Sequence, residues 1–320
     1  MKQKVIVVTG GAGYIGSHVI HNLLAENLEV VVLDDLSNGK AANINPKAKL
    51  FQGDFADDNI WQQIVDQYEV QGVIHLAAYI EIDESFQKPA EYLLNNAIKT
   101  GQLLQILNRR NVKNLVFSST CGVYGRNQDN PLTEQTPVEP LNPYANSKAI
   151  AERFVKYAAD YLAVNTIIFR FFNTCGTLPE VNIRPKNQTA LLSQVRLAME
   201  NKIPELKIFG NEFSTKDGTC VRDFVHVYDV ARAVVFGMKN LLSNPQQFQI
   251  YNIGSENGFT VKEIVDQTEQ LFGVKLNVKI VPPRPDEVVV SVASSQKLKD
   301  GLNFQFLHSD LENILKTSLS

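Results

Sequence analysis

Cysteine is scarce in this chain: Cys121, Cys175 and Cys220 are the only three in 320 residues, widely spaced and odd in number. That arrangement offers neither a disulfide framework nor a metal-binding pattern, and it suits reduced thiols in the cytoplasm. A strong charge of either sign is also lacking. The formal net charge is -3, so there is no basic footprint for nucleic acid. Long apolar runs are missing too, and nothing approaches the roughly 20 residues of a membrane helix. The run Val5 to Val8, after Met1-Lys2-Gln3-Lys4, is too short for a secretory signal and ends in a glycine-rich turn. It reads as a buried strand. No repeat, low-complexity tract or long linker interrupts the chain. What remains is an ordinary globular composition, 44% hydrophobic and 20% charged, with length for a large core.

The first half alternates strand-like runs with helical patterns. Strands are expected near Lys4–Thr9, Glu29–Asp34, Leu50–Gln52, Val73–Leu76, Asn114–Ser118 and Thr166–Phe171. Helices are expected over Gly13–Ala25, Ile60–Gln67, Ala90–Arg110 and Asn146–Tyr161. This alternation predicts an α/β fold, a doubly wound parallel sheet covered on both faces. After Phe172 the rhythm weakens. A helix is expected up to about Asn201, then a short strand at Ile208–Phe209, a helix over Tyr228–Leu242 and a strand at Gln249–Ile253. Thr260 and Glu263 have the spacing of a capping box. A strand near Leu276–Val281 and a helix near Ser309–Lys316 close the chain. The expected division is residues 1–173 as a dinucleotide-binding domain, with return segments near 224–253. Residues 174–320 would form mainly a smaller α/β substrate lobe.

Gly10, Gly13 and Gly16 follow a strand and open a helix, the context a dinucleotide turn requires. One glycine permits the turn, another lets backbone approach a pyrophosphate, and the third allows close helix–strand packing. The helix N-terminus then faces the phosphate charge. The plainer alternative is a structural turn in an unrelated α/β protein. Asp34 ends the second strand, where a carboxylate can accept the adenosine ribose hydroxyls and repel a 2′-phosphate, favouring NAD. Asp35 is an alternative for that role, and strand-end capping is the plainer one. Asp54, after the third strand, can meet the adenine amino group or serve only its turn.

About 130 residues later comes Pro143-Tyr144-Ala145-Asn146-Ser147-Lys148. Tyr144 and Lys148 are neighbours on one helix face, with Pro143 fitting the helix start. A free phenol, pKa about 10, is a poor base at neutral pH. A nearby ammonium, or a positively charged nicotinamide, is expected to lower that value. Tyr144 can then exchange a proton with a substrate hydroxyl while hydride passes to the cofactor. A surface pair on an amphipathic helix is the alternative. Ser118, Ser119 and Thr120 close another strand, where ligands of open α/β sheets sit. There a hydroxyl can bind the reacting oxygen, or simply cap the strand.

These residues together resemble the extended short-chain dehydrogenase/reductase family, and within it the UDP-sugar 4-epimerases. The similarity extends over Leu33 to Gly39, Gly53-Asp54, Val73 to Ala78, Asn95-Asn96, Phe117 to Gly125, Asn142 to Lys148 and Arg170 to Asn173. It continues through Ile208 to Asn211 and Asp217 to Val227, and weakens after about residue 295. The resemblance implies an NAD-dependent isomerase that interconverts UDP-glucose and UDP-galactose through a 4-keto intermediate. Thr120, Tyr144 and Lys148 take the catalytic positions. Besides the glycines, Asp34 and Asp54, it implies cofactor contacts at Tyr14, Ile15, Asp35, Asn38, Phe55, Leu76, Ala77, Ala78, Asn95, Ser118 and Phe171. Tyr144 and Lys148 also face the cofactor. Asn173, Asn187, Phe209, Arg222 and Arg284 would hold the nucleotide diphosphate, with Phe209 stacking on uracil and the arginines pairing with phosphates. Ser291 occupies the position that limits the sugar's 2-substituent, and its small size implies room for an N-acetyl group. A homodimer through the helices at Ala90–Arg110 and Asn146–Tyr161 is also implied.

The chain departs from the family pattern where the sugar is chosen. Ile80 stands where members carry Lys, and Gly122 where they carry Thr. Dehydratases of the family have an acidic pair after the catalytic Thr, and decarboxylating relatives have Glu. Cys121-Gly122 provides neither. An epimerase of another nucleotide sugar (a glucuronate or a pentose), or an NAD-binding regulatory protein, are the alternative readings.

Overall fold

The structure, a computed structural model, describes residues 2–126, 130–244, 248–284 and 287–320. In chain order the first part comprises β1 (Gln3–Thr9), α1 (Tyr14–Ala25), β2 (Val30–Asp34), β3 (Lys49–Gln52), α2 (Asp58–Gln67) and β4 (Tyr68–His75). Then come α3 (Ile82–Gln87), α4 (Pro89–Leu93), α5 (Lys99–Arg109), β5 (Asn114–Thr120), α6 (Pro143–Leu162) and β6 (Asn165–Phe171). The second part holds β7 (Asn173–Cys175), α7 (Leu191–Met199), β8 (Leu206–Phe209), β9 (Val221–His226), α8 (Val227–Ser243) and β10 (Phe248–Ile253). It ends with β11 (Gly258–Thr260), α9 (Val261–Phe272), β12 (Val278–Val281), β13 (Val290–Ser291), α10 (Gln296–Leu302) and α11 (Leu311–Leu319).

Seven strands form the main sheet in the order β10-β6-β5-β4-β1-β2-β3. Every neighbouring pair is parallel. The sheet is therefore doubly wound, and the strand order reverses between β1 and β4. Such a reversal opens a crevice beyond the carboxyl ends of the strands, where ligands bind. The strands read as continuous apolar runs because both faces are covered. One face packs Val8, Val32, Phe169 and Val234 into a core that includes α1 and α8. The other packs Val7, Val31, Trp61, Leu103 and Val155 beneath α2, α5 and α6. A third core, with Val195, Phe224, Ile264 and Leu315, gathers the short strands and helices of the second part.

The helix expected over Ala90–Arg110 is interrupted. Leu94–Ile98 forms one π-helical turn between α4 and α5. The extra residue in that turn brings Asn95 and Asn96 inward as buried side chains. The capping box at Thr260 and Glu263 is present, with both reciprocal bonds made. Among the described residues, no helix is long and apolar enough to cross a membrane.

Candidate active site

A cavity of about 1140 Å³ lies along the carboxyl edge of the main sheet and reaches β8, β9 and β13 of the second part. Its first end is the glycine turn. Gly10 has φ +72°, and a Cβ on it would lie 2.6 Å from the Ala77 amide. A Cβ on Gly16 would fall 2.3 Å from the Gly10 carbonyl oxygen. Only glycine allows this approach of turn, helix and the segment after β4. Helix α1 has no side-chain cap at its start, so its first amides remain available. Asp34 is buried beside them. Its carboxylate accepts the Ala12 amide at 2.9 Å and the Leu36 amide at 2.8 Å, and burial raises its pKa. Asp34 thus ties the glycine turn to β2 as well as lining the cavity.

At the centre, α6 brings Tyr144 and Lys148 to the cavity one turn apart. Asn142 caps this helix by accepting the Ala145 amide at 2.8 Å, and Pro143 occupies its first turn. A buried ion pair fixes α6 against the sheet. Arg170 on β6 donates to both oxygens of Glu152 on α6, at 3.0 and 2.7 Å, and Ser119 on β5 donates to the same carboxylate at 2.5 Å. Lys148 is 3% exposed, with Nζ 4.3 Å from the centroid of Phe117. Thr120 accepts the Gly122 amide at 3.1 Å, which leaves its own hydroxyl proton to be donated. Ser118 donates to the His75 carbonyl at 3.0 Å.

The far end carries the nucleotide candidates. Asn173 donates to the Asp223 carbonyl at 3.0 Å, and Asn187 accepts from Thr189 and Ala190 ahead of α7. Phe209 and Arg284 stack, and Arg222 pairs with Glu287 at 2.5 Å. Ser291 is buried on the cavity wall, near Cys121.

A sequence profile of the NAD dependent epimerase/dehydratase family matches residues 6–254. The chain belongs to that family. A UDP-glucose 4-epimerase of Lacticaseibacillus casei is 34% identical over 315 residues, covering 98% of this chain and 95% of that one. The crystal structure of UDP-glucose 4-epimerase from Brucella ovis in complex with NAD is similar at TM-score 0.94 and 30% identity, covering 99% and 97% of the two chains. The UDP-Glc/GlcNAc 4-epimerase of Campylobacter jejuni has TM-score 0.84 and 32% identity, covering 99% and 98%. NAD, the cofactor of this epimerase/dehydratase family, fits the residues present. The close-packed glycines, the uncapped α1 and the buried Asp34 make one continuous cradle.

Every candidate residue lines this cavity except Asp54. Its carboxylate instead takes Lys99 at 2.5 Å and the Ala56 amide at 2.9 Å, which directs it into its own turn. The expected lowering of the Tyr144 pKa is reversed in the fold. Burial pushes it up to about 12 and outweighs the Thr120 hydroxyl, which favours the phenolate. Burial also draws Lys148 down to about 7, against the attraction of Glu152. Three supporting residues had no role assigned from the sequence. Asn96 clamps the backbone of Tyr79, accepting its N–H and donating to its C=O, both at 2.9 Å. Glu152 anchors α6, and Glu287 occupies the Arg222 guanidinium.

Proposed function

We propose that this chain is an NAD-dependent 4-epimerase of UDP-sugars, interconverting UDP-glucose and UDP-galactose. The observation that carries the reading is one cavity joining the glycine turn to Tyr144, Lys148 and Thr120, and those to Phe209, Arg222 and Arg284. In this reading residues 1–173, with the return near 224–253, hold NAD, and residues 174–320 mainly hold the substrate.

Tyr144 acts as the base that removes the C4 hydroxyl proton and later returns it. Thr120 donates a hydrogen bond to the same oxygen. Bound NAD supplies hydride acceptance and return at C4. Lys148, one turn from Tyr144, offers positive charge that favours the phenolate once substrate is in place. Arg222 and Arg284 grip the diphosphate and Phe209 contacts the base, so the 4-keto sugar is retained while it turns over. For Arg222 this requires sharing its donors between phosphate and Glu287.

Ser291 supports a wider sugar range. Its small side chain on the cavity wall leaves space for a 2-N-acetyl group, so UDP-GlcNAc is expected to be a second substrate. A cytoplasmic homodimer is also proposed. Leu94 and Ile98 on the π-helical turn before α5, and Tyr161 on α6, are exposed apolar side chains on helices that pack together, which supports a second copy covering them. The deciding experiment is incubation with NAD and a panel of nucleotide sugars, with NMR readout of C4 configuration. Conversion of UDP-galactose supports the reading, and NAD binding without any C4 inversion overturns it. Failure on UDP-GlcNAc alone removes the wider range.

A further inference from the structure

The segment Tyr79–Asp83 lines the cavity and contributes two carboxylates, Glu81 and Asp83, and no cation. Neither carboxylate has an ion-pair partner among the described residues, whereas their neighbour Glu84 is neutralised by Lys88 at 2.9 Å. The path of this segment is fixed from two sides. Asn96 holds the Tyr79 backbone, and the Glu81 amide donates to the Tyr92 hydroxyl at 3.1 Å. The Tyr92 ring in turn meets Tyr144 edge-on, with centroids 6.5 Å apart at 86°. One aromatic ring therefore connects the Glu81 backbone to the proposed base.

We propose that Glu81 is a specificity residue whose carboxylate, on the wall beside Tyr144, disfavours sugars bearing a carboxylate next to the reacting carbon. The proposal rests on the 4-epimerase reading above. In a hexuronate the C6 carboxylate is attached to C5, the carbon adjacent to C4. Seating O4 at Tyr144 therefore places that carboxylate one carbon from the reacting centre, in the cavity that Glu81 also lines. With Ile80 preceding Glu81, the segment offers no compensating cation. Like charges so placed reject a partner that neutral hydroxymethyl or hydrogen at C5 does not offend. At Tyr144 burial dominates the upward pKa shift, the Thr120 hydroxyl opposes it, and Cys121 and then Glu81 add to it. Glu81 is itself raised by burial first, then by Glu84 and Asp83.

The test is calorimetric binding of UDP-glucose and UDP-glucuronate to the NAD-loaded enzyme. The wild type is compared with Glu81→Gln and Glu81→Lys. The wild type is expected to bind the uronate at least about tenfold more weakly than UDP-glucose, equivalent to about 1.4 kcal/mol. Glu81→Gln narrows the gap and Glu81→Lys narrows it further. In the wild type itself, raising the salt concentration also shrinks the gap, because the site is open enough to be screened. Equal binding of the two sugars by wild type, or a gap unmoved by either variant and by salt, overturns the proposal. Turnover of UDP-galactose is followed in parallel. A charge-dependent gap without turnover sinks the epimerase reading, and turnover without the gap sinks only the role of Glu81.

Discussion

The guanidinium of Arg284 lies 4.2 Å from the centroid of the Phe209 ring. Two residues proposed for different halves of a nucleotide thus brace each other. A flat cation on an aromatic face keeps its in-plane donors free, which suits a phosphate. Arg284→Lys loses both the stack and the fork. The expected result is a KM for UDP-glucose raised by about tenfold with kcat little changed, measured in steady state. An unchanged KM would remove Arg284 from diphosphate binding.

Tyr144→Phe keeps the ring that Tyr92 contacts and removes only the hydroxyl. Loss of acid–base chemistry is expected to lower kcat by about 10²–10⁴-fold. NAD binding, followed by fluorescence quenching, should persist. Residual epimerisation near the wild-type rate would show that another group moves the proton.

Lys148 makes stability depend on pH. Its folded pKa, about 7, is far below the usual lysine value of 10.5 because of burial. Below pH 7 the proton is bound in both states, and the folded protein carries the full cost of a buried ammonium. Between about pH 7 and 10.5 the unfolded chain binds the extra proton, so this residue's contribution to stability rises with pH. The slope is about 1.4 kcal/mol per pH unit. Urea unfolding of the ligand-free wild type and of Lys148→Met should therefore diverge by about 2 kcal/mol in favour of wild type from pH 7 to 8.5. Parallel curves would refute the depressed pKa.

The Glu152–Arg170 pair is the structural anchor of α6. Both side chains are nearly inaccessible, at 9% and 3% exposure. Glu152→Gln leaves a buried guanidinium without its counter-charge and is expected to cost about 3–5 kcal/mol. Because α6 carries Tyr144, kcat should fall alongside the denaturation midpoint. A full-rate, less stable variant would show that α6 is held in register by other contacts.

Much of this architecture is written locally. The apolar runs of β1 and β2 and the glycine turn required no tertiary information. Neither did the Pro143 start of α6 or the capping box at Thr260. The missed elements depend on distant partners. Strand β9 reads as a mixture of charged and apolar residues, Val-Arg-Asp-Phe-Val-His, and is held by β7, β11 and β13, none longer than three residues. The diversion of Asp54 needs Lys99, far along the chain. The direction of the Tyr144 shift likewise depends on distant packing. Lys148 is visible one turn away in sequence, whereas the burial that raises the Tyr144 pKa comes from the packed cavity wall. Charge neighbours can be read from spacing, but desolvation is a property of the finished fold.

The π-helical turn at Leu94–Ile98 has an evolutionary consequence. Through Asn96 it grips only main-chain atoms of Tyr79, so the adjoining wall keeps its course whatever side chains it bears. Positions 80, 81 and 83 can then be exchanged one at a time. Such an arrangement lets substrate preference drift between descendants by single replacements, while Tyr144 and Lys148 remain undisturbed on a separate helix.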